Sequence, residues 1–97
     1  MTIDKRPIGV FDSGLGGLTV VKALKKLLPS ESILYFGDTA RLPYGVKSKE
    51  LVIQYSHQIT NFLINKDAKM IIIACNTATA MALEELKHSF KDTPIIG

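Results

Sequence analysis

The residue best suited to proton-transfer chemistry is Cys75, the single cysteine of this 97-residue chain. It follows an apolar run at residues 70–74, typical of a buried parallel strand, and precedes Asn76 and Thr77, where a helical pattern begins. A free cysteine is most often a small buried apolar residue. At a strand-to-helix junction, unpaired backbone N–H groups and the helix dipole stabilise a thiolate instead. The position favours a reactive thiol, and Asn76 and Thr77 can either cap the helix or bind a carboxylate.

Asp12 and Ser13 follow a second short apolar run, at residues 8–11. As a turn former, Asp12 would only shape the glycine-rich loop after it. A carboxylate at a strand end can instead orient a nearby thiol or accept a substrate's ammonium group, and the Ser13 hydroxyl can donate or accept a hydrogen bond. Because ligand sites of open parallel sheets lie at the carboxyl ends of the strands, we expect Asp12 and Ser13 to lie near Cys75.

A third polar segment, residues 39–47, follows an apolar run at residues 33–36 and shows no periodicity, which indicates a loop. Tyr44 lies in this loop, between Pro43 and Gly45. This context predicts an exposed aromatic side chain that contacts a ligand or another domain, with covering the core as the alternative. Asp38, just after the strand, is interpreted as a loop residue.

Three glycines after the first strand resemble a phosphate-binding loop, so a nucleotide- or phosphate-binding module is a competing hypothesis. They are Gly14, Gly16 and Gly17. A dinucleotide fingerprint would require its third glycine at Thr19, and a P-loop would require a glycine-lysine pair that this segment lacks. The glycines more simply predict a close backbone approach that lets a helix begin over the site.

Composition argues against several other classes of protein. The net charge of +3 is modest, and the lysines Lys22, Lys25 and Lys26 are interpreted as the solvated face of a helix, so nucleic acid is not an expected partner. Neither His57 nor His88 has a cysteine or acid at metal-ligand spacing, so no metal is expected. A lone cysteine and the lack of a long apolar run predict a cytoplasmic protein with no membrane partner.

The pattern of the whole chain predicts alternating strands and helices, in the order βαβαβαβ. The clearest helix follows Ser48, a favourable N-cap, and carries an apolar stripe through residues 51–63. Pro29 ends an earlier helix over residues 18–28. Elements of these lengths imply right-handed crossovers and a parallel sheet covered on both faces, an α/β fold in one domain.

Two stretches of the sequence resemble the signature motifs of glutamate racemases, in the aspartate/glutamate racemase family. They read GVFDSGLGGL at residues 9–18 and ACNTATA at residues 74–80. YFGD at residues 35–38 and PYG at residues 43–45 match the same family, so the resemblance covers nearly the whole chain. It implies a cofactor-independent isomerase that interconverts L- and D-glutamate and supplies D-glutamate for peptidoglycan synthesis in the bacterial cytoplasm.

The resemblance also assigns roles to individual residues. It implies that Cys75 is a catalytic thiol assisted by Asp12. It implies a substrate pocket lined by Asp12, Ser13, Tyr44, Gly45, Asn76 and Thr77. It further suggests a three-layer α/β/α arrangement with a four-stranded parallel sheet in the order two, one, three, four, which right-handed crossovers permit.

Members of this family have two related α/β domains, each of which contributes one of two thiols acting on opposite faces of the α-carbon. The resemblance therefore implies that residues 1–97 are the N-terminal domain, that the second domain is missing from this chain, and that the chain alone is inactive. A homodimer of the full-length protein is compatible with it. Aspartate racemase or a related cofactor-free isomerase would use the same logic, and a non-catalytic interaction fragment would show no reactive thiol.

Overall fold

The computed structural model describes residues 4–14 and 16–97, and Leu15 of the first motif lies outside them. The elements in chain order are β1 (Ile8–Asp12), α1 (Leu18–Leu27), β2 (Ile33–Gly37), α2 (Lys49–Asn65), β3 (Met70–Ile73), α3 (Asn76–Ser89) and β4 (Ile95–Ile96). All strand pairs are parallel and the sheet order is β2-β1-β3-β4, which confirms the predicted fold and strand order. The predicted loop at residues 39–47 contains two short 3-10 turns, Thr39–Arg41 and Tyr44–Val46.

The register of the sheet brings the carboxyl ends of three strands to one level. β1 lies between β2 and β3, and its last residue, Asp12, pairs with Gly37. Beyond the paired residues, the Asp38 N–H donates to the Asp12 carbonyl at 2.8 Å, and the Ala74 N–H donates to the Phe11 carbonyl at 2.8 Å. The segments that follow β1, β2 and β3 therefore leave the sheet at the same edge.

The two faces of the sheet are covered unequally. Right-handed crossovers place α1 on one face and both α2 and α3 on the other, where the main apolar core lies. α2 and α3 bury apolar side chains that include Val52, Leu63 and Leu86. α1 buries no residue completely, and Leu27 is 76% exposed at its end. The helix begins at Leu18, as predicted, and ends one residue before the predicted Leu28, which is its C-cap.

The local signals for α2 are confirmed in detail. The Ser48 hydroxyl accepts a hydrogen bond from the Leu51 N–H at 3.2 Å, so it caps the helix as predicted. The three lysines of α1 are exposed, as expected for a solvated face. Within residues 4–14 and 16–97, no helix is long and apolar enough to cross a membrane.

Candidate active site

Three segments that are distant in sequence converge at the carboxyl edge of the sheet. The Cys75 thiol donates to the Ser13 hydroxyl oxygen at 3.5 Å, across 62 residues of sequence. A Cβ placed on Gly45 would lie 4.0 Å from Thr77 Oγ1, so the loop after β2 also reaches the start of α3. The predicted convergence of these segments is confirmed, and it forms one candidate site around the thiol.

Cys75 is the N-cap residue of α3. Its Sγ accepts a hydrogen bond from the Ala78 N–H at 3.4 Å, and its side chain is 7% exposed. The thiol thus occupies the place where a side chain satisfies an unpaired N–H of the first helical turn. Because a serine hydroxyl can rotate, Ser13 can accept from the protonated thiol and donate to the thiolate.

Asn76 and Thr77 form the first turn of α3, and neither caps it, because Cys75 does so. The cap interpretation of these two residues is therefore wrong. Asn76 is exposed and Thr77 is half-buried. Both side chains lie at the positive end of the helix dipole, where an anionic ligand is favoured.

Asp12 directs both carboxylate oxygens to backbone N–H groups of the loop that follows it. Oδ1 accepts from the Ser13 N–H at 2.7 Å, and Oδ2 accepts from the Gly17 N–H at 2.6 Å. The carboxylate is buried, with 6% exposure. Asp12 thus shapes residues 12–14 and 16–17, which we call the glycine loop, and reaches the thiol region through Ser13.

Close packing explains why the glycine loop ends in a glycine. A Cβ on Gly17 would lie 2.9 Å from the Cβ of Asp12 and 2.9 Å from Cε1 of Tyr35. No described glycine has a positive φ, so space and not backbone conformation requires this residue. Because the Gly17 N–H already binds Asp12, and the carboxylate would repel a phosphate, the geometry disfavours the phosphate-loop hypothesis.

Tyr44 is buried, with 1% exposure, so the prediction of an exposed aromatic ring is wrong. Its hydroxyl donates to Asp38 Oδ2 at 2.5 Å. Burial, the hydrogen bond and the charge of Asp38 all raise the pKa of Tyr44 far above its usual value, so the hydroxyl stays protonated. Its ring belongs to the core cluster that also contains Cys75.

Asp38 and Arg41 are structural partners that the sequence interpretation missed. Asp38 is 5% exposed, and its Oδ2 also accepts from Arg41 Nε at 2.8 Å. Arg41 then donates to Gln58 Oε1 at 2.8 Å and covers the Tyr55 ring at 3.9 Å. The network ties residues 38–46, which we call the tyrosine loop, to α2. The spacing of Asp38 and Arg41, three residues apart, was the available signal.

Metal-ligand geometry is not found in the described part of the chain, where no group of three histidine, cysteine, aspartate or glutamate side chains could hold an ion. His57 packs against the Phe90 ring, with the ring centres 4.7 Å apart.

Comparison with known proteins gives a consistent relationship. No protein-family model matches the chain. It is 56% identical over 95 residues to the glutamate racemase of Lactococcus lactis subsp. lactis, covering 98% of this chain and 35% of that protein. It is 57% identical over 91 residues to the glutamate racemase of Microcystis aeruginosa, covering 94% of this chain and 32% of that protein.

Solved structures agree with the sequence relatives. The glutamate racemase of Francisella tularensis, in complex with D-glutamate, superimposes with a TM-score of 0.91 at 52% identity, over 96% of this chain and 35% of that one. The glutamate racemase of Aquifex pyrophilus gives a TM-score of 0.90 at 49% identity, over 94% of this chain and 36% of that one. The chain spans about a third of the length of these relatives, and over that length it is similar to glutamate racemases in both sequence and fold.

Proposed function

We propose that this chain supplies one half of a glutamate racemase site, with Cys75 as one of two groups that move the α-proton. The observation that carries the proposal is the placement of the thiol at the start of α3, in contact with Ser13, which follows the neighbouring strand β1, in a chain this similar to glutamate racemases. Peptidoglycan synthesis in the bacterial cytoplasm is the proposed setting.

In the proposed reaction, the Cys75 thiolate takes the proton from the α-carbon, and the C–H electron pair remains on the substrate as a carbanion. A second acid on the opposite face returns a proton, which inverts the configuration. The α-proton is weakly acidic, so a base within hydrogen-bonding reach and stabilisation of the developing charge are both needed. The proposed pair of thiols does this without an organic cofactor.

The remaining residues of the site have complementary roles in binding. The start of α3, with Asn76 and Thr77, suits a substrate carboxylate because the helix dipole is positive there. Gly45 lies beside Thr77 and leaves room for the ligand. Tyr44 supports the pocket from within the core, since its ring is buried and Asp38 already binds its hydroxyl. The Asp12 carboxylate retains lone pairs that can attract the substrate's ammonium group.

The second acid is proposed to come from protein beyond these 97 residues, because the chain contains a single cysteine and its relatives are about three times longer. The described residues form one wall of the site. We therefore propose residues 1–97 as a first catalytic domain that needs a facing domain. Glutamate is the proposed substrate, and a homodimer remains a proposal for the longer protein.

A chimaera tests this function directly. The matching 95-residue segment of the Lactococcus lactis enzyme is replaced by this chain, and interconversion of L- and D-glutamate is followed by chiral chromatography in heavy water. We expect an active chimaera, and Cys75→Ala should lower its rate by about 10²–10⁴-fold because a positioned general base is lost. The 97-residue chain alone should not interconvert the enantiomers.

Ser56→Ala is the matched control, since Ser56 is fully buried on α2 and its hydroxyl has no hydrogen-bond partner in the described structure. It should leave the rate of the chimaera unchanged. A folded chimaera without activity, or full activity in the Cys75→Ala chimaera, would contradict the proposal.

A further inference from the structure

Tyr35 connects the edge strand β2 to the glycine loop. Its hydroxyl donates to the Gly14 carbonyl oxygen at 2.8 Å, across 21 residues of sequence. Its ring occupies the space that side chains at two glycines would take: a Cβ on Gly17 would meet Tyr35 Cε1 at 2.9 Å, and a Cβ on Gly37 would meet Tyr35 Cε2 at 3.3 Å. Both glycines therefore accommodate the tyrosine ring beneath the loop.

The hydrogen bonds of the glycine loop hold Ser13 from both sides. On one side, the Ser13 N–H donates to Asp12 Oδ1 at 2.7 Å. On the other side, the carbonyl of the next residue, Gly14, accepts from Tyr35. The backbone of Ser13 is thus held between two bonds, while its hydroxyl is left to contact Cys75 Sγ at 3.5 Å.

We propose that Tyr35 is a positioning residue, whose hydroxyl fixes the Gly14 carbonyl and thereby places the Ser13 hydroxyl against the Cys75 thiol. Tyr35 does not touch the thiol and acts through Ser13. The inference rests on the proposed function, in which Cys75 is the reacting group. In that function, Ser13 donates to the thiolate only if the loop holds its hydroxyl at this place.

The protonation state of Tyr35 agrees with this role. Burial, and then the negative charge of Asp12, raise the pKa of Tyr35 above its usual value. The hydroxyl therefore remains a donor at pH 8, where thiol labelling is practical. The Gly14 carbonyl oxygen also lies close to β2, because a Cβ on Gly37 would come within 2.5 Å of it, so the Tyr35 hydroxyl holds this carbonyl beside the strand.

A double-mutant cycle on the 97-residue chain tests the proposal, because Cys75 is its single cysteine and labelling by iodoacetamide reports on that thiol alone. Tyr35→Phe removes the hydroxyl and keeps the ring. At pH 8 we expect it to slow labelling by about two- to threefold, the size expected for a weakened hydrogen bond to the thiolate. In the Ser13→Ala background, the same substitution should have no effect, since no hydroxyl is left to misplace.

Amide hydrogen exchange gives a second, independent measurement. The Ser13 and Gly17 amides should exchange about two- to tenfold faster in Tyr35→Phe, as the loss of one intramolecular hydrogen bond implies. Sheet amides such as Ile71 should not change, which also shows that the variant is folded. Tyr55→Phe is the matched control, because no hydrogen bond of the Tyr55 hydroxyl is found among the described residues, and it should alter neither measurement.

Labelling that changes equally in the wild-type and Ser13→Ala backgrounds, or not at all in either, would overturn the proposal. So would unchanged exchange of the Ser13 and Gly17 amides. Because these measurements need no turnover, their failure is distinct from an inactive chimaera, which would contradict the racemase function and leave the role of Tyr35 standing.

Discussion

The two loops beside Cys75 are held in opposite ways. In the glycine loop, the groups that are held are backbone atoms: the N–H groups of Ser13 and Gly17 bind Asp12, and the Gly14 carbonyl binds Tyr35. In the tyrosine loop, side chains bind one another instead, since Asp38 accepts hydrogen bonds from both Tyr44 and Arg41. The first loop brings its backbone close to the sheet, and the second fills a space in the core.

This difference predicts which substitutions each loop tolerates. Where backbone atoms approach one another closely, any added side chain is harmful, because a main-chain atom cannot rotate away. Where a buried polar network holds the loop, the loss of one member leaves its partners without hydrogen bonds, and an unpaired buried polar group is costly. The glycine loop should therefore be sensitive to added volume, and the tyrosine loop to lost polar groups.

The largest effect is expected for Asp38→Ala. The substitution removes the acceptor of the Tyr44 hydroxyl, which is buried, and the partner of the Arg41 guanidinium. We expect the free energy of unfolding to fall by about 1.5–3 kcal/mol, the range for hydrogen bonds to charged groups. Urea denaturation followed by circular dichroism measures it. A loss below about 0.5 kcal/mol, the usual size for surface changes, would mean that packing alone holds the tyrosine loop.

Gly37→Ala should have the next largest effect, through the glycine loop. Its Cβ would lie 2.5 Å from the Gly14 carbonyl oxygen, so the loop must move. We expect a loss of about 1–3 kcal/mol, typical of overpacking. Gly45→Ala in the tyrosine loop is the matched control, because the nearest atom to its Cβ is Thr77 Oγ1 at 4.0 Å, and its effect should stay within about 0.5 kcal/mol. If urea denaturation gave equal losses of unfolding free energy for Gly37→Ala and Gly45→Ala, the proposed difference between the loops would be contradicted.

The smallest expected effect is a loss of stability at alkaline pH. Each loop depends on a tyrosine hydroxyl that must stay protonated to donate its hydrogen bond. The folded-state pKa values of Tyr35 and Tyr44 are both raised, Tyr44 more strongly because it is more deeply buried and also bound to Asp38. The unfolded chain releases these protons near pH 10 and the folded chain retains them. Stability from these groups is therefore fully present below pH 10 and is lost as the pH rises above it.

We expect Tyr44 to account for a loss of less than about 1 kcal/mol between pH 8 and pH 10.5. Urea denaturation at both values, in the wild-type chain and in Tyr44→Phe, isolates this contribution, since the other groups are common to both. The variant should lose less stability than the wild type over this interval. Identical losses would contradict the raised pKa of Tyr44.

Much of the fold could be predicted from the sequence because its signals are local. Ser48 and the apolar stripe after it gave the start and inner face of α2, and the apolar run before Cys75 gave β3. The resemblance supplied the strand order, which the structure confirms. The convergence of Asp12, Ser13 and Cys75 followed from topology, since the carboxyl ends of parallel strands share one edge.

The sequence by itself determined the alternation of strands and helices, the edge at which polar residues gather, and the identity of the thiol. Only the tertiary structure decided the partners of the side chains: Tyr44 turned inward to Asp38, Asp12 bound the Gly17 N–H, and Tyr35 reached Gly14. The physical reason is that helix and strand periodicity depends on residues that are close together in the sequence. A hydrogen bond instead depends on rotamers and on distances of a few ångströms between atoms that the folded sheet brings together.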